Sequence, residues 1–143
     1  MGRPRPPLAA RTAIVPVRQL LEDAEGLRLR LLAGRRGLAR EIHMSRVQRP
    51  GLALTGYTDY IRYGRVQIVG ASEIGYLRTL RPIRRRQVLA KLARCRISCF
   101  VVTKGLLPPS ELLEQAEARG IPVLLTPTES TPFVQQLLSL IHI

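Results

Sequence analysis

The residues whose types and spacing come nearest to phosphate chemistry are Gly51-Leu52-Ala53-Leu54-Thr55-Gly56-Tyr57-Thr58. Two glycines and a closing threonine stand at the intervals of a phosphate-binding loop. Tyr57, however, occupies the place of the lysine that must neutralise the β- and γ-phosphates. Arg49-Pro50 also interrupts the strand that should precede such a loop, so the stretch is rejected as a nucleotide site. Lys104-Gly105 carries the needed pair in reverse order. Cys95 and Cys99 lie four residues apart, but no second pair or His-x-x-x-His completes a metal set. His43 and His142 stand apart from each other and from any acidic cluster. With only 10 acidic residues in the chain, no Ser/His/Asp set or carboxylate pair rises above chance. The sequence thus offers no catalytic residue and no metal ligand.

Binding chemistry remains. In an α/β sheet, ligands sit beyond the carboxyl ends of the strands. Here those ends carry Gly70-Ala71-Ser72, Thr103-Lys104-Gly105 and Thr126-Pro127-Thr128. Thr103, Lys104, Gly105, Thr126 and Thr128 would line a pocket there, with Arg49 and Tyr57 nearby. Helix capping alone would account for Ser72 and Thr128. The segment holding Arg49, Pro50, Gly51, Gly56, Tyr57, Asp59 and Tyr60 has a second explanation. It would pack the sheet edge or touch a neighbouring subunit, since exposed aromatic clusters often mark interfaces.

These residues need elements to hold them, and Ile97 to Pro127 reads as a complete strand–helix–strand unit. Ile97 to Thr103 is almost continuously apolar and β-branched, as in a strand buried on both faces. Pro109 fits a first helical turn, Leu112, Leu113 and Ala116 share one helix face, and Gly120 suits a left-handed cap. Ile121 to Thr126 is then a second strand, parallel to the first. Upstream, Pro16 opens a helix with Val17, Leu20, Leu21 and Ala24 inward, closed by Gly26. Leu27, Leu29 and Leu31 alternate with Arg28 and Arg30 in a half-exposed strand. That strand is expected to form a hairpin with a second one at Ile42 and Met44, through the turn Gly34-Arg35-Arg36-Gly37. Val66 to Val69 is another buried strand. Helices follow at Ser72 to Leu80 and from Pro82, the latter with Arg84, Arg85 and Arg86 on its solvated side, and a last one opens at Pro132. The expected fold is α/β, a mainly parallel sheet flanked by helices on both faces.

Composition narrows the class. The chain of 143 residues reads as residues 1–14, a frayed lead-in, followed by one domain over 15–143. No apolar run reaches the ~20 residues of a membrane helix, and the start lacks the apolar core of a secretory signal. A cytoplasmic protein with no membrane partner is the expectation. The net charge of +13 raises nucleic-acid binding. Against it, the charge is nearly all arginine and spread from end to end, as a GC-rich genome would produce. Aromatic residues at 4% are too few for a stacking platform, so nucleic acid is not the expected partner.

The order of motifs resembles the amino-terminal domain of HPr kinase/phosphorylase. The resemblance runs through Val17-Arg18-Gln19-Leu20-Leu21, Leu32-Ala33-Gly34, Gly37-Leu38 and Glu41-Ile42. It continues in Arg49-Pro50-Gly51-Leu52-Ala53-Leu54-Thr55-Gly56-Tyr57-Thr58-Asp59-Tyr60, its most specific piece, and then in Arg65 to Gly70. Val102 to Leu106, Gly120 to Val123 and Thr126-Pro127 carry it on to Phe133. It implies a fold similar to the UDP-sugar-binding, amino-terminal domain of Mur ligases. It also implies membership of a bifunctional enzyme that phosphorylates a serine of the phosphocarrier HPr with ATP and Mg²⁺ and removes that phosphate by phosphorolysis. The P-loop and catalytic residues of that family belong to a carboxyl-terminal domain, expected to begin beyond Ile143. This chain is then a fragment, inactive alone, that holds no cofactor and meets HPr only through the missing domain. Assembly or regulation is its implied role, and a homo-oligomer its implied full-length form.

Overall fold

The computed structural model describes residues 14–22, 26–43 and 47–141, the last two without their side chains. Strand β1 (Val15–Pro16) leads into helix α1 (Arg18–Glu22), and β2 (Arg30–Ala33) is followed by a 3-10 turn at Arg35–Gly37 and by β3 (Glu41–Ile42). A second 3-10 turn at Ala53–Thr55 precedes β4 (Val66–Val69), α2 (Ala71–Thr79), α3 (Pro82–Ala93), β5 (Cys99–Val102), α4 (Ser110–Arg119), β6 (Val123–Leu125) and α5 (Ser130–Ile141). The principal sheet has the order β2-β6-β5-β4. Its strands β4, β5 and β6 are parallel, while β2 lies antiparallel on β6 at one edge, so the sheet is mixed.

The parallel strands form where the sequence is apolar, with Gln67 the exception in β4, because both of their faces are covered. Phe100 and Val102 join Val69 and Val123 beneath α2, α3 and α4, through Ile74, Leu77, Leu89, Leu92, Leu112 and Ala116. Cys99 and Val101, with Val66, Ile68 and Leu124, turn to the other face, where Leu20 of α1 and Phe133 and Leu137 of α5 cover them. Full burial moves the Cys99 thiol up to about 12, so it packs as a small apolar group. Pro82 opens α3, and Gly120 closes α4 with φ +64. Among the described residues no helix is long and apolar enough to cross a membrane.

Several local expectations are corrected. The hairpin between the strand at Leu27–Leu31 and the one at Ile42 does not form. Arg28 takes φ +54, which breaks the alternation, and the strand that starts at Arg30 pairs with β6. Ile42 pairs instead with Val15 of β1; Met44 lies outside the described residues. Pro16 belongs to β1, so α1 begins at Arg18, and Ala24 of its expected apolar stripe lies outside the described residues. Ser72 does not cap α2, because Gly70 holds that position. Pro109 precedes α4 as its N-cap, and Pro132 sits inside the first turn of α5, which Ser130 begins. There its missing N–H leaves no bond unmade. Arg85 is half-buried, not on the solvated side of α3.

The early arginines find their use where β2 and β3 meet α4. Gly34 and Gly37 press so close to the chain at 120–122 that an added Cβ would lie 2.0 Å from the Ile121 carbonyl oxygen and 1.9 Å from that of Gly120. Only glycine fits there. Arg36 donates to the carbonyls of Glu117 and Ala118 at 2.8 and 3.2 Å. Arg40 donates to those of Gly120, Ile97 and Arg119 at 2.8 to 3.0 Å. Cations are thus set on the orphan carbonyls at the negative end of a helix.

Candidate functional site

Gly70, Thr103 and Thr126 lie where β4, β5 and β6 end, and the fold gathers polar groups around them. Gln48 bridges to Gln67 beside β4, which brings Arg49 to the mouth of the sheet. The Arg49 guanidinium contacts Glu73 Oε1 at 3.1 Å, and the same oxygen accepts the Gly70 N–H at 2.7 Å. Glu73 is thereby a carboxylate at the positive end of α2, matched by an arginine from outside the helix. Its position, three residues past the N-cap, is a capping pattern that sequence can show. Thr103 shares a hydroxyl–hydroxyl bond of 2.7 Å with Ser130 at the start of α5. A Cβ on Gly70 would meet Arg49 Nη2 at 2.8 Å and Ser130 Oγ at 3.1 Å, and one on Gly51 would lie 3.5 Å from Glu73 Oε2.

The other residues of the expected pocket serve the loops. Thr126 donates its hydroxyl to the Leu27 carbonyl at 2.9 Å and accepts the Thr128 N–H at 3.2 Å. The amides of Lys104 and Gly105 donate to the carbonyls of Thr128 and Thr126. Both residues have positive φ, +60 and +63, which leaves the Lys104 side chain exposed on a tight turn. Thr128 is held through its amide by Thr126. Arg49, Gly51, Thr103 and the unforeseen Glu73 and Ser130 therefore meet around Gly70, while Lys104, Gly105, Thr126 and Thr128 build the adjoining turn.

The segment from Pro50 to Tyr60 forms no phosphate cradle. The N–H groups of Leu54, Thr55 and Gly56 donate to the carbonyls of Pro50, Leu52 and Ala53. Ala53 N–H donates to the Tyr60 hydroxyl at 3.1 Å, which in turn donates to the Arg49 carbonyl at 2.9 Å. The amides of Ala53, Leu54, Thr55 and Gly56 are thus bonded within the segment, and Tyr57 stands in place of the phosphate-binding lysine, so these residues do not fit ATP or its Mg²⁺. Gly56, at φ +113, turns the chain, and its carbonyl accepts from the Lys91 ammonium. Tyr57 stacks on Tyr60 with ring centroids 6.3 Å apart, and Asp59 is exposed.

Two cavities lie elsewhere. One, of about 710 Å³, runs between β2 and α4, lined by Leu31, Leu32, Leu113, Arg35 and Glu117 among others. The second, of about 290 Å³, opens at the amino end of the sheet beside Arg40, Tyr63, Arg96 and Ser98. Neither includes a residue of the expected pocket. Between α3 and α4, Arg85 donates to the carbonyls of Leu77 and Leu80 and to Glu111 Oε1, the last at 3.2 Å. The Glu111 carboxyl is held below the usual carboxylate range, first by its own backbone N–H; burial opposes this, and Arg85 and Arg86 add to it.

With the geometry in hand, comparison with known proteins is direct. A family model described as HPr Serine kinase N terminus matches residues 15–141. An HPr kinase/phosphorylase of Geobacter sulfurreducens is 49% identical over 119 residues, 82% of this chain and 37% of that protein. Those of Lactobacillus johnsonii and Brevibacillus brevis are 41% and 36% identical, over 77% and 73% of this chain and 34% and 33% of theirs. The matched part of the chain thus spans about a third of the length of these relatives. Among solved structures, the CBS and DRTGG domains of the regulatory region of Clostridium perfringens pyrophosphatase, complexed with the activator diadenosine tetraphosphate, match with a TM-score of 0.59. That match is 20% identical and covers 92% of this chain and 48% of the other, a likeness of fold. The matched span and the identities make this chain a member of the HPr kinase/phosphorylase family, corresponding to its amino-terminal domain.

Proposed function

We propose that this chain is a regulatory or assembly module of a cytoplasmic HPr kinase/phosphorylase and does not transfer phosphate by itself. In the whole enzyme, ATP and Mg²⁺ would be held by a P-loop domain outside this chain, and HPr would meet that domain. The observation that carries the proposal is the family match over 15–141, joined to a carboxyl end where the Arg49 and Glu73 side chains are bonded to each other, as are those of Thr103 and Ser130. Phosphoryl transfer needs a phosphate cradle and metal ligands, and the loop with the nearest spacing lacks the lysine and bonds its Ala53, Leu54, Thr55 and Gly56 amides internally. The purified chain incubated with ATP, Mg²⁺ and HPr is expected to form no phosphoserine. Phosphorylated HPr in that mixture, and none without the chain, would sink the proposal.

A second role, as a ligand-binding module, has one observation in its favour. Gly70 has no side chain, and a Cβ there would lie 2.8 Å from Arg49 Nη2 and 3.1 Å from Ser130 Oγ, so the glycine lets both polar groups gather at the strand end. A likeness to the UDP-sugar-binding domain of Mur ligases belongs to this second role. A thermal-shift screen with nucleotide sugars and phosphorylated metabolites tests it. Under this role an anionic ligand raises the melting temperature of the native chain and does not raise that of Arg49→Met. A screen in which nothing stabilises the native chain counts against a pocket.

A further inference from the structure

The arginines are spread along the chain, but the acids that could offset them are not. Glu73 is the single acidic residue between Tyr60 and Ser110, and it is buried and paired with Arg49. Helix α3 lies in the middle of this stretch and contains no acid. Its apolar side, Val88, Leu89, Leu92 and Ala93, is buried. At 3.6 residues per turn the opposite side carries Arg84, Gln87, Lys91 and Arg94 in one stripe. All four are exposed, and Arg94, just past the helix end, keeps helical backbone angles. Two neighbouring cations are answered from α4: Arg85 meets Glu111 Oε1 at 3.2 Å, and Arg86 stands 3.7 Å from Glu114 Oε2. The stripe itself is not answered. Among the described residues the side chains of Arg84 and Arg94 take part in no hydrogen bond or ion pair, nor does that of Arg81 just before the helix. The Lys91 ammonium is held by the Gly56 carbonyl, which fixes the cation without cancelling its charge.

A row of cations along one helix is the footprint of a polyanion, and the rest of the face selects its kind. The core of a protein interface is depleted of charge. This face is instead centred on Gln87 and Arg94, with Ile83 the one large apolar side chain that α3 exposes. Lying on a lipid surface takes a broad apolar side, and that of α3 is buried in the core. Single strands are held by stacking their bases on aromatic rings, and α3 has none. The scarcity of aromatic residues therefore argues against single strands only, because the phosphates of a duplex need nothing but cations. From Arg84 to Arg94 the stripe runs about 15 Å at 1.5 Å per residue. That length of duplex axis carries about nine phosphate charges. We propose that the outer face of α3 binds double-stranded nucleic acid through its phosphates, without reading the bases. This role is additional to the regulatory or assembly role above, and the phosphorylation assay does not bear on it.

Fluorescence anisotropy of a labelled random-sequence DNA duplex, titrated with the full chain at several salt concentrations, tests it. With about four phosphates engaged, binding weakens about a hundredfold from about 50 to about 200 mM salt. The triple variant Arg81→Gln, Arg84→Gln, Arg94→Gln makes the slope of log affinity against log salt shallower by about 2.7, and Arg84→Gln alone by about 0.9. The control triple Arg18→Gln, Arg30→Gln, Arg119→Gln removes the same charge from exposed positions outside α3 and leaves the slope unchanged. All the altered side chains are exposed, so the variants melt with the native chain, and that measurement separates lost contact from lost fold. No binding to the duplex, an unchanged slope in the α3 variants, or the same change in the control triple would each overturn the proposal. So would tighter binding of a single strand, or of polyglutamate, than of the duplex at the same salt.

Discussion

Glu111 shows how one side chain can set the acid limit of this domain. It is buried at the start of α4, and its carboxylate takes the Arg85 guanidinium across from α3. Its carboxyl is held below the usual range by its own backbone N–H first and by Arg85 and Arg86 next. A carboxyl depressed in the folded state stabilises the fold above the unfolded value, and that contribution disappears as pH falls through the folded value. Stability should therefore decline from about pH 5 downward, and Glu111→Gln should flatten part of that decline while lowering stability at neutral pH. Urea midpoints of both proteins from pH 7 to pH 3 decide it. Parallel curves would mean that Glu111 titrates alike folded and unfolded. The partner, Arg85, was hidden in the sequence by its neighbours: in Arg84-Arg85-Arg86 nothing marks the middle residue as the one that turns inward. The helix register decides, because Arg85 reaches the carbonyls at the end of α2.

At the scale of elements, the clasp on α4 is the contact most open to test. Arg40 closes three carbonyls, two of them at or just beyond the helix end and one before β5. Charged donors to half-buried carbonyls are worth more than neutral ones. Arg40→Ala is expected to lose about 2–3 kcal/mol, whereas Arg84→Ala, on the exposed face of α3, should stay within about 0.5 kcal/mol. Equal urea midpoints for the two variants would show the clasp to be incidental. The parallel strands were legible in the sequence because a strand covered on both faces is almost wholly apolar, as Cys99–Val102 and Val123–Leu125 are and as Val66–Val69 is but for Gln67. The β2–β6 pairing was not legible. Period-two alternation names a strand but not its neighbour, and short turn residues at Gly34 to Gly37 mimic a hairpin that the real chain spends on approaching Ile121. In the strand-end cluster, Arg49 and Thr103 were foreseen and Glu73 and Ser130 were not. Those two arrive through the caps of α2 and α5, whose first residues lay one or two positions from where Ser72 and Pro132 placed them.

For the whole molecule, the charge of +13 has a partly internal account. Arg36, Arg40, Arg49, Arg78 and Arg85 donate to carbonyls or carboxylates of this same chain, so part of the arginine content serves the fold, whatever the composition of the genome adds. The mixed sheet carries a second consequence, one of timing. Leu31 pairs with Leu124, roughly ninety residues later, and at about 5–20 residues per second of synthesis β2 waits some 5–18 s for β6 to emerge. Strands β4 and β5 complete their pairing with far less delay, since only the crossover through α2 and α3 separates Cys99 from Val66. The chain should therefore leave the ribosome with the leucines of β2 bare beside a half-built parallel core, a state that invites holding chaperones and disfavours rapid two-state refolding. The arginine clasp on α4 then forms among the last contacts, as a latch that shuts only when the sheet has found its edge.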